Sequence, residues 1–115
     1  MSENIRVTDK KRLLGAIGLA ARAGKAIAGV PLICASLSSG GSKVPRLVIS
    51  ASDVSDNTKK RISDKCTFYG VRRIEIGLLA DELASALGKG APIGAVAITD
   101  DSFCRLIEQY LEAKN

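Results

Sequence analysis

The stretch LVISA at positions 47–51 is a short run of small and apolar residues with one polar side chain, Ser50. Such a run is typical of a strand that is buried on both faces of a sheet. Segments at 26–28, 71–76 and 95–98 predict three further strands. Because helical patterns separate the strands, we expect helices on both faces of the sheet, which is a three-layer α/β/α sandwich.

Five helices are predicted from apolar residues at helical spacing and from residues that cap or end helices. The first has Thr8 as N-cap and Asp9 in its first turn, and the second begins near Pro31. The third is capped by Ser55 or Asp56. The predicted ends of the first four helices are Gly24, Gly40-Gly41, Gly70 and Gly88.

Two helices have an apolar stripe that predicts which side faces the core. In the third helix the stripe is Ile62, Cys66 and Tyr69. The last helix is capped by Asp100, and its apolar side consists of Phe103, Leu106, Ile107, Tyr110 and Leu111. Residues 1–7 are predicted to lie outside regular structure.

The composition excludes several classes of function. The chain has 115 residues, 46% hydrophobic and 25% charged, so we expect one domain over 1–115 with an ordered core at about 8–112. It has no histidine, which removes Ser-His-Asp and Cys-His catalysis and the commonest ligand of zinc. With four aromatic residues, a sheet that stacks bases on exposed rings is also disfavoured. We expect no enzymatic activity, no metal and no cofactor.

The three cysteines and the N-terminal sequence predict a cytoplasmic protein. Cys34, Cys66 and Cys104 are odd in number and lack C-x-x-C spacing, which favours reduced, buried thiols. The apolar segment 13–21 is about half as long as a membrane span, and no export signal precedes it. We therefore expect neither a membrane nor DNA as a partner.

The formal charge of +5 is unevenly distributed. Residues 1–75 carry 14 Lys and Arg against 6 Asp and Glu, a net charge of +8, whereas the remainder is acidic. The basic residues form three groups, which are Lys10, Lys11, Arg12, Arg22 and Lys25; Lys59, Lys60 and Arg61; and Arg72 and Arg73. Uneven basic charge of this kind indicates a polyanionic ligand or a solvated helix surface.

Two glycine-bearing loops, at 24–29 and 88–94, are the other candidate binding features. Glycine allows close approach of a backbone to a ligand, and a helix that begins after Gly29 would offer N–H groups to an anion. Neither loop has the spacing of a phosphate-binding loop or of a dinucleotide-binding fingerprint. Asp100-Asp101 is better explained as a helix cap than as a catalytic pair. Together the loops and the lysines indicate contacts with RNA phosphates.

Seven short motifs occur in the order and at the spacing of one protein family. They are RAGK at 22–25 with Gly29, LVI at 47–49, NTKK at 57–60, DKC at 64–66, FYGV at 68–71, ALGK at 86–89 and VAITD at 96–100. The pattern resembles the small bacterial branch of the L-seven-A-e / L-thirty-e ribosomal protein superfamily, the kink-turn RNA binders, over about residues 9–112. The resemblance implies a four-stranded mixed sheet, RNA binding without catalysis or cofactor, and ribosomal or ribonucleoprotein partners.

The resemblance also implies two RNA-contacting parts, the start of the second helix and the loop before the last strand. The residues expected to bind RNA are Gly24, Lys25, Gly29, Val30, Pro31, Leu32, Lys59, Gly88, Lys89 and Ile93. Lys25, Lys59 and Lys89 would hold phosphates, and Ile93 would make an apolar contact.

The chain departs from the family pattern at three positions. The polar residues that family members use after this glycine fall on Pro31, Leu32 and Ala35, whose side chains cannot hydrogen-bond a guanine edge. There is also an insertion of about three residues around 41–45. We therefore expect structured, kink-turn-like RNA to be recognised with altered or weakened readout.

Two alternative functions remain open from the sequence. In one, the fold is a protein-interaction module that uses the apolar residues 30–33 as its contact surface. In the other, the chain is an accessory domain like those of RNA methyltransferases, although we expect no catalytic domain in this chain.

Overall fold

The computed structural model describes residues 5–40 and 44–113 of the chain. These residues form five helices and six short strands. In chain order they are β1 (Ile5–Val7), α1 (Lys10–Arg22), β2 (Ala26–Ala28), α2 (Val30–Ser39), β3 (Leu47–Ser50), α3 (Asp56–Tyr69), β4 (Arg72–Glu75), α4 (Ala80–Leu87), β5 (Ala95–Ile98), α5 (Asp101–Glu108) and β6 (Leu111–Ala113). None of the helices in the described part of the chain is long and apolar enough to cross a membrane.

The main sheet has four strands in the order β2-β5-β3-β4. β5 pairs antiparallel with both β2 and β3, whereas β3 and β4 are parallel, so the sheet is mixed. All residues of the two central strands, β3 and β5, are buried. This burial on both faces confirms the strand predictions for LVIS and for 95–98 and the predicted fold class.

Each face of the sheet is covered by its own apolar cluster. On one face α1, α4 and α5 supply residues such as Ile17, Leu83 and Ile107, all of which are completely buried. On the other face α2 and α3 supply Ile33 and Ile62. These two layers of helices complete the α/β/α sandwich.

The first and last strands form a separate antiparallel ribbon that the sequence did not predict. Val7 in β1 pairs with Leu111 in β6, so the expectation of an irregular start is wrong for 5–7. The same pairing ends α5 at Glu108, before Tyr110 and Leu111, which were assigned to the helix. It also corrects the N-cap of α1, because the Thr8 N–H donates to the Tyr110 carbonyl at 2.8 Å. Thr8 therefore continues the pairing of β1, and Asp9 caps the helix, because its side chain accepts a hydrogen bond from the Arg12 N–H.

Smaller corrections concern α2 and α3. Tyr69 is 39% exposed, so only Ile62 and Cys66 of the predicted stripe are buried. Pro31 is the second residue of α2 and not the first. Gly40 ends α2 with φ +69°, but Gly41 and the next two residues of the insertion predicted around 41–45 lie outside the described residues.

The three cysteines are free and buried, as the sequence predicted. Cys34 and Cys66 belong to the α2–α3 cluster, and Cys104 belongs to the opposite cluster. Burial raises the pKa of the Cys66 thiol to about 11. The pKa of Cys104 is also raised to about 11, by burial and by the carboxylates of Glu108, Asp101 and Asp100.

We expect these thiols to resist modification in the folded protein. A pKa raised from 9.0 to about 11 leaves about a hundredfold less thiolate near pH 8, and only the thiolate reacts. Titration with a thiol-reactive dye should label Cys66 and Cys104 slowly in buffer and rapidly in strong denaturant. Rapid labelling of either residue in buffer would contradict the burial described here.

Candidate nucleic-acid interface

The start of α2 is set by a one-residue junction with β2. Gly29 adopts φ +97°, a conformation that side chains disfavour, and its N–H donates to the Ala95 carbonyl at 2.9 Å. Its own carbonyl accepts from the Ile33 N–H at 3.1 Å, which begins the helix. No side chain caps this first turn among the described residues. The amides of Val30 and Leu32 are therefore available to an external acceptor.

The loop at 88–94 is anchored beside this junction by backbone hydrogen bonds. The Ile93 N–H donates to the Ala80 carbonyl at 3.1 Å, and the Gly94 carbonyl accepts from the Ala51 N–H at 2.9 Å. At Gly94 a Cβ atom would lie 3.1 Å from Val54 Cγ1, which is tighter than ordinary packing. Glycine at this position therefore allows the loop to pack closely against Val54, in the turn before α3.

The junction and the loop enclose a depression that we call the Gly29 groove. It is lined by Gly29, Val30, Pro31, Asp53, Val54, Ser55, Thr58, Ala80, Asp81, Pro92, Ile93 and Gly94. Its apolar side comes from α2 and the loop, and its polar side comes from α3, α4 and the turns before them. The Asp53 carboxylate is fixed because it accepts from the Ala80 N–H at 2.9 Å. The groove therefore offers acceptors to a ligand, but its carboxylates oppose a phosphate.

A second depression, the Lys89 groove, lies on the other side of the start of α2. It is lined by Ala21, Ala26, Ile27, Ala28, Leu32, Leu87 and Lys89. Leu32 is 62% exposed and forms an apolar part of this lining. Gly88 ends α4 in the left-handed conformation, and the Lys89 N–H donates to the Ala84 carbonyl at 2.9 Å. This helix end places Lys89 at the rim of the groove.

Three cations near this rim have no acidic partner among the described residues, and we call them the cation cluster. Arg22, at the end of α1, lines a depression together with Leu87 and Gly88 next to the Lys89 groove. The Lys25 N–H donates to the Ala20 carbonyl at 2.8 Å, which holds Lys25 at the same helix end. Lys89 completes the cluster. Unpaired, exposed cations of this kind are the groups that bind phosphates.

The ion pairs elsewhere in the structure explain why Lys59 differs from this cluster. Its Nζ lies 3.7 Å from the Glu75 carboxylate, which is also 3.9 Å from Arg73. Lys59 lines neither groove. It was predicted from sequence as a phosphate contact, and the structure places it in an internal ion pair.

The structure therefore brings most of the predicted site residues together. Gly29, Val30, Pro31 and Ile93 line the Gly29 groove, whereas Leu32 and Lys89 line the Lys89 groove. Gly24, Lys25 and Gly88 lie at the adjoining ends of α1 and α4. The proposed protein-contact surface at 30–33 is smaller than expected, because Val30 and Ile33 are buried.

Sequence reasoning missed four polar residues of this region. Asp53 and Thr58 reach the Gly29 groove from the start of α3 and the turn before it, and Asp81 reaches it from α4, more than 20 positions further along the chain. Arg22 was recognised as part of a basic group but not as a site residue. Its position at a helix end, three residues before Lys25, was the available signal.

Curated relatives cover almost the whole chain. An RNA-binding protein YlxQ of Enterococcus faecium is 34% identical over 104 residues, which is 90% of this chain and 95% of that protein. The chain belongs to the YlxQ family. A second YlxQ, from Bacillus subtilis, is 33% identical over 98 residues, 84% of this chain and 91% of that protein. No family model matches the chain.

Solved structures agree with this assignment. A protein of unknown function from Bacillus halodurans superposes with a TM-score of 0.74 at 29% identity, covering 86% of this chain and 95% of that one. The 15.5 kD RNA-binding protein of Giardia lamblia superposes with a TM-score of 0.68 at 20% identity, covering 88% and 82%. The chain thus has the fold of the L-seven-A-e / L-thirty-e superfamily, as its motifs indicated.

Proposed function

We propose that the chain is a non-catalytic RNA-binding protein that recognises structured, kink-turn-like RNA with altered readout. One observation carries the proposal. The start of α2 and the 88–94 loop enclose the Gly29 groove, and on the other side of the start of α2 three cations without acidic partners among the described residues lie near the Lys89 groove. The name of both YlxQ relatives, RNA-binding protein, supports the general function.

The two grooves would contact different parts of the RNA, one its phosphates and the other its base edges. The cation cluster would bind phosphates beside the Lys89 groove, where an RNA backbone meets Arg22, Lys25 and Lys89. Base edges would enter the Gly29 groove, because carboxylates repel phosphates but accept hydrogen bonds from base amino groups. Asp81 and Thr58 would then make the hydrogen bonds to base edges that the side chains of Pro31 and Leu32 cannot make.

The proposal of RNA as the ligand extends to the partners and the location of the protein. Ribosomal or ribonucleoprotein partners and a cytoplasmic location fit RNA binding, and the free, buried thiols fit a reducing compartment. The alternative of a protein-interaction module has less support, because only Pro31 and Leu32 of residues 30–33 are exposed.

A gel-shift titration with two RNAs tests this function. One RNA is a hairpin with a kink-turn, and the other is a straight duplex of the same length. We expect about tenfold tighter binding to the kink-turn, the equivalent of one good polar contact. The salt slope of log K should be roughly −3 to −5, as for three to five neutralised phosphates. Equal affinity for the two RNAs would reject structure-specific recognition, and no binding to either would reject the proposed function.

A further inference from the structure

Two of the aromatic rings lie together on the surface at the end of α3, far from the core. Phe68 is 80% exposed and Tyr69 39% exposed. Their ring centroids are 4.9 Å apart with an interplanar angle of 81°, an edge-to-face pair. The Tyr69 hydroxyl and the Ser38 hydroxyl of α2 are 3.4 Å apart and hydrogen-bonded, so the pair is held against α2. With so much of its surface exposed, the Phe68 ring keeps an open face for a planar ligand.

Two cations share this surface. Arg61, Lys65 and Phe68 are spaced four and three residues apart on α3, which places them on one side of the helix. Both cations line a depression of about 570 Å³ together with the two rings, a volume typical of small-molecule sites. Neither Arg61 nor Lys65 has an ion-pair partner in the described part of the chain. Asp64 also lines the depression, and its carboxylate is paired with Lys60 Nζ at 2.9 Å.

We propose that Arg61, Lys65, Phe68 and Tyr69 form a second RNA contact, a stacking site for single-stranded nucleotides. A base would stack on Phe68, while Arg61 and Lys65 would bind the adjoining phosphates. The unpaired positive charge beside exposed rings matches a nucleotide, which combines a planar base with an anion. This inference rests on the proposed function, RNA binding by this chain.

The position of the stacking site specifies which part of an RNA it binds. Thr58 lines the Gly29 groove, and Phe68 lies ten residues further along the same helix, about 15 Å away. A single-stranded flank a few nucleotides long would therefore reach the rings from a structured element seated in the groove. The site thus extends the RNA surface along α3 and does not replace the first contact.

Binding of tailed and trimmed RNA separates the two contacts. The kink-turn hairpin is prepared with and without a short 3′ or 5′ tail of uridines. We expect Phe68→Ala to weaken binding of the tailed RNA by roughly tenfold and to leave the trimmed hairpin unaffected. Phe68→Leu, which keeps an apolar side chain but removes the ring, should weaken the tailed RNA equally. Tight binding of the tailed RNA by Phe68→Leu would overturn the proposal, because apolar contact alone would then suffice.

A fluorescence measurement tests the site without the hairpin. The chain contains no tryptophan, so Phe68→Trp introduces a single reporter. Oligouridylate should quench this fluorescence by stacking, and the additional change of Arg61 and Lys65 to Gln should weaken the quenching. Absence of quenching would overturn the stacking site even if the trimmed hairpin binds normally. Quenching by a protein that fails to bind the hairpin would support the stacking site and RNA binding, and would reject the proposed recognition of structured, kink-turn-like RNA.

Discussion

Replacing Arg22, Lys25 and Lys89 together with Ala will weaken RNA binding by a few hundredfold at about 0.1 M salt. Each lost phosphate contact removes about 0.9 from the salt slope of log K and costs nearly tenfold in affinity at this salt concentration. The three changes should therefore make the slope shallower by about 2.7. The expectation follows from the absence of acidic partners for these cations among the described residues. Gel shifts or fluorescence anisotropy over a range of salt concentrations measure both quantities.

A matched variant controls for the change in net charge. Replacing Arg6, Lys11 and Arg12 with Ala removes the same three positive charges. These residues lie around the first turn of α1, so Arg12 is about 15 Å along the helix from Arg22. Arg6 and Arg12 are already paired, with Glu112 and Asp9. We expect less than tenfold weakening in this control, and equal losses in the two variants would show that total charge and not the cation cluster determines affinity.

Replacing Gly18 with Ala will destabilise the fold, although alanine is the better helix former. A Cβ at Gly18 would lie 2.8 Å from the Ala86 carbonyl oxygen, at the contact between α1 and α4. Overpacking against backbone costs typically 1–3 kcal/mol, and the gain in helix propensity offsets about 1 kcal/mol of this. We expect a net loss of up to about 2 kcal/mol in the free energy of unfolding, measured by urea denaturation. RNA binding should weaken as well, because this contact positions Arg22 relative to Lys89.

Gly15 provides the control for this prediction on the same helix. No atom lies within 4 Å of a Cβ built at Gly15. Gly15→Ala therefore gains helix propensity without a clash and should stabilise the protein by about 0.5–1 kcal/mol. If Gly18→Ala stabilises the protein as much as Gly15→Ala does, then α1 and α4 are not packed as closely as the structure shows.

The sequence predicted the elements whose signals are local. The strand at 47–50 could be predicted because its burial on both faces goes with a run of mainly apolar residues. Gly29, Gly70 and Gly88 marked helix boundaries because each adopts a positive φ, which other residues disfavour. The β1–β6 ribbon was missed because its hydrogen bonds join residues more than 100 positions apart. Such pairing leaves no periodic pattern in either short segment.

The candidate site was only partly predictable for the same reason. The family motifs identified Gly29 and Ile93, which do line one groove. Whether a lysine is available to a phosphate depends on its spatial neighbours, and Glu75, which pairs with Lys59, lies 16 positions away in sequence. The exposure of Phe68 was also hidden, because a phenylalanine near a helix end is equally compatible with burial in the core.

Amide chemical shifts during an RNA titration test the central claim most directly. The isotope-labelled full chain is titrated with the kink-turn hairpin, and the perturbed amides are mapped on the structure. The two-groove interface predicts the largest perturbations at residues 22–33, 53–58, 80–81 and 88–94, with little change in the β1–β6 ribbon. Perturbations confined to α5 and the ribbon would contradict this interface and place the RNA on another surface.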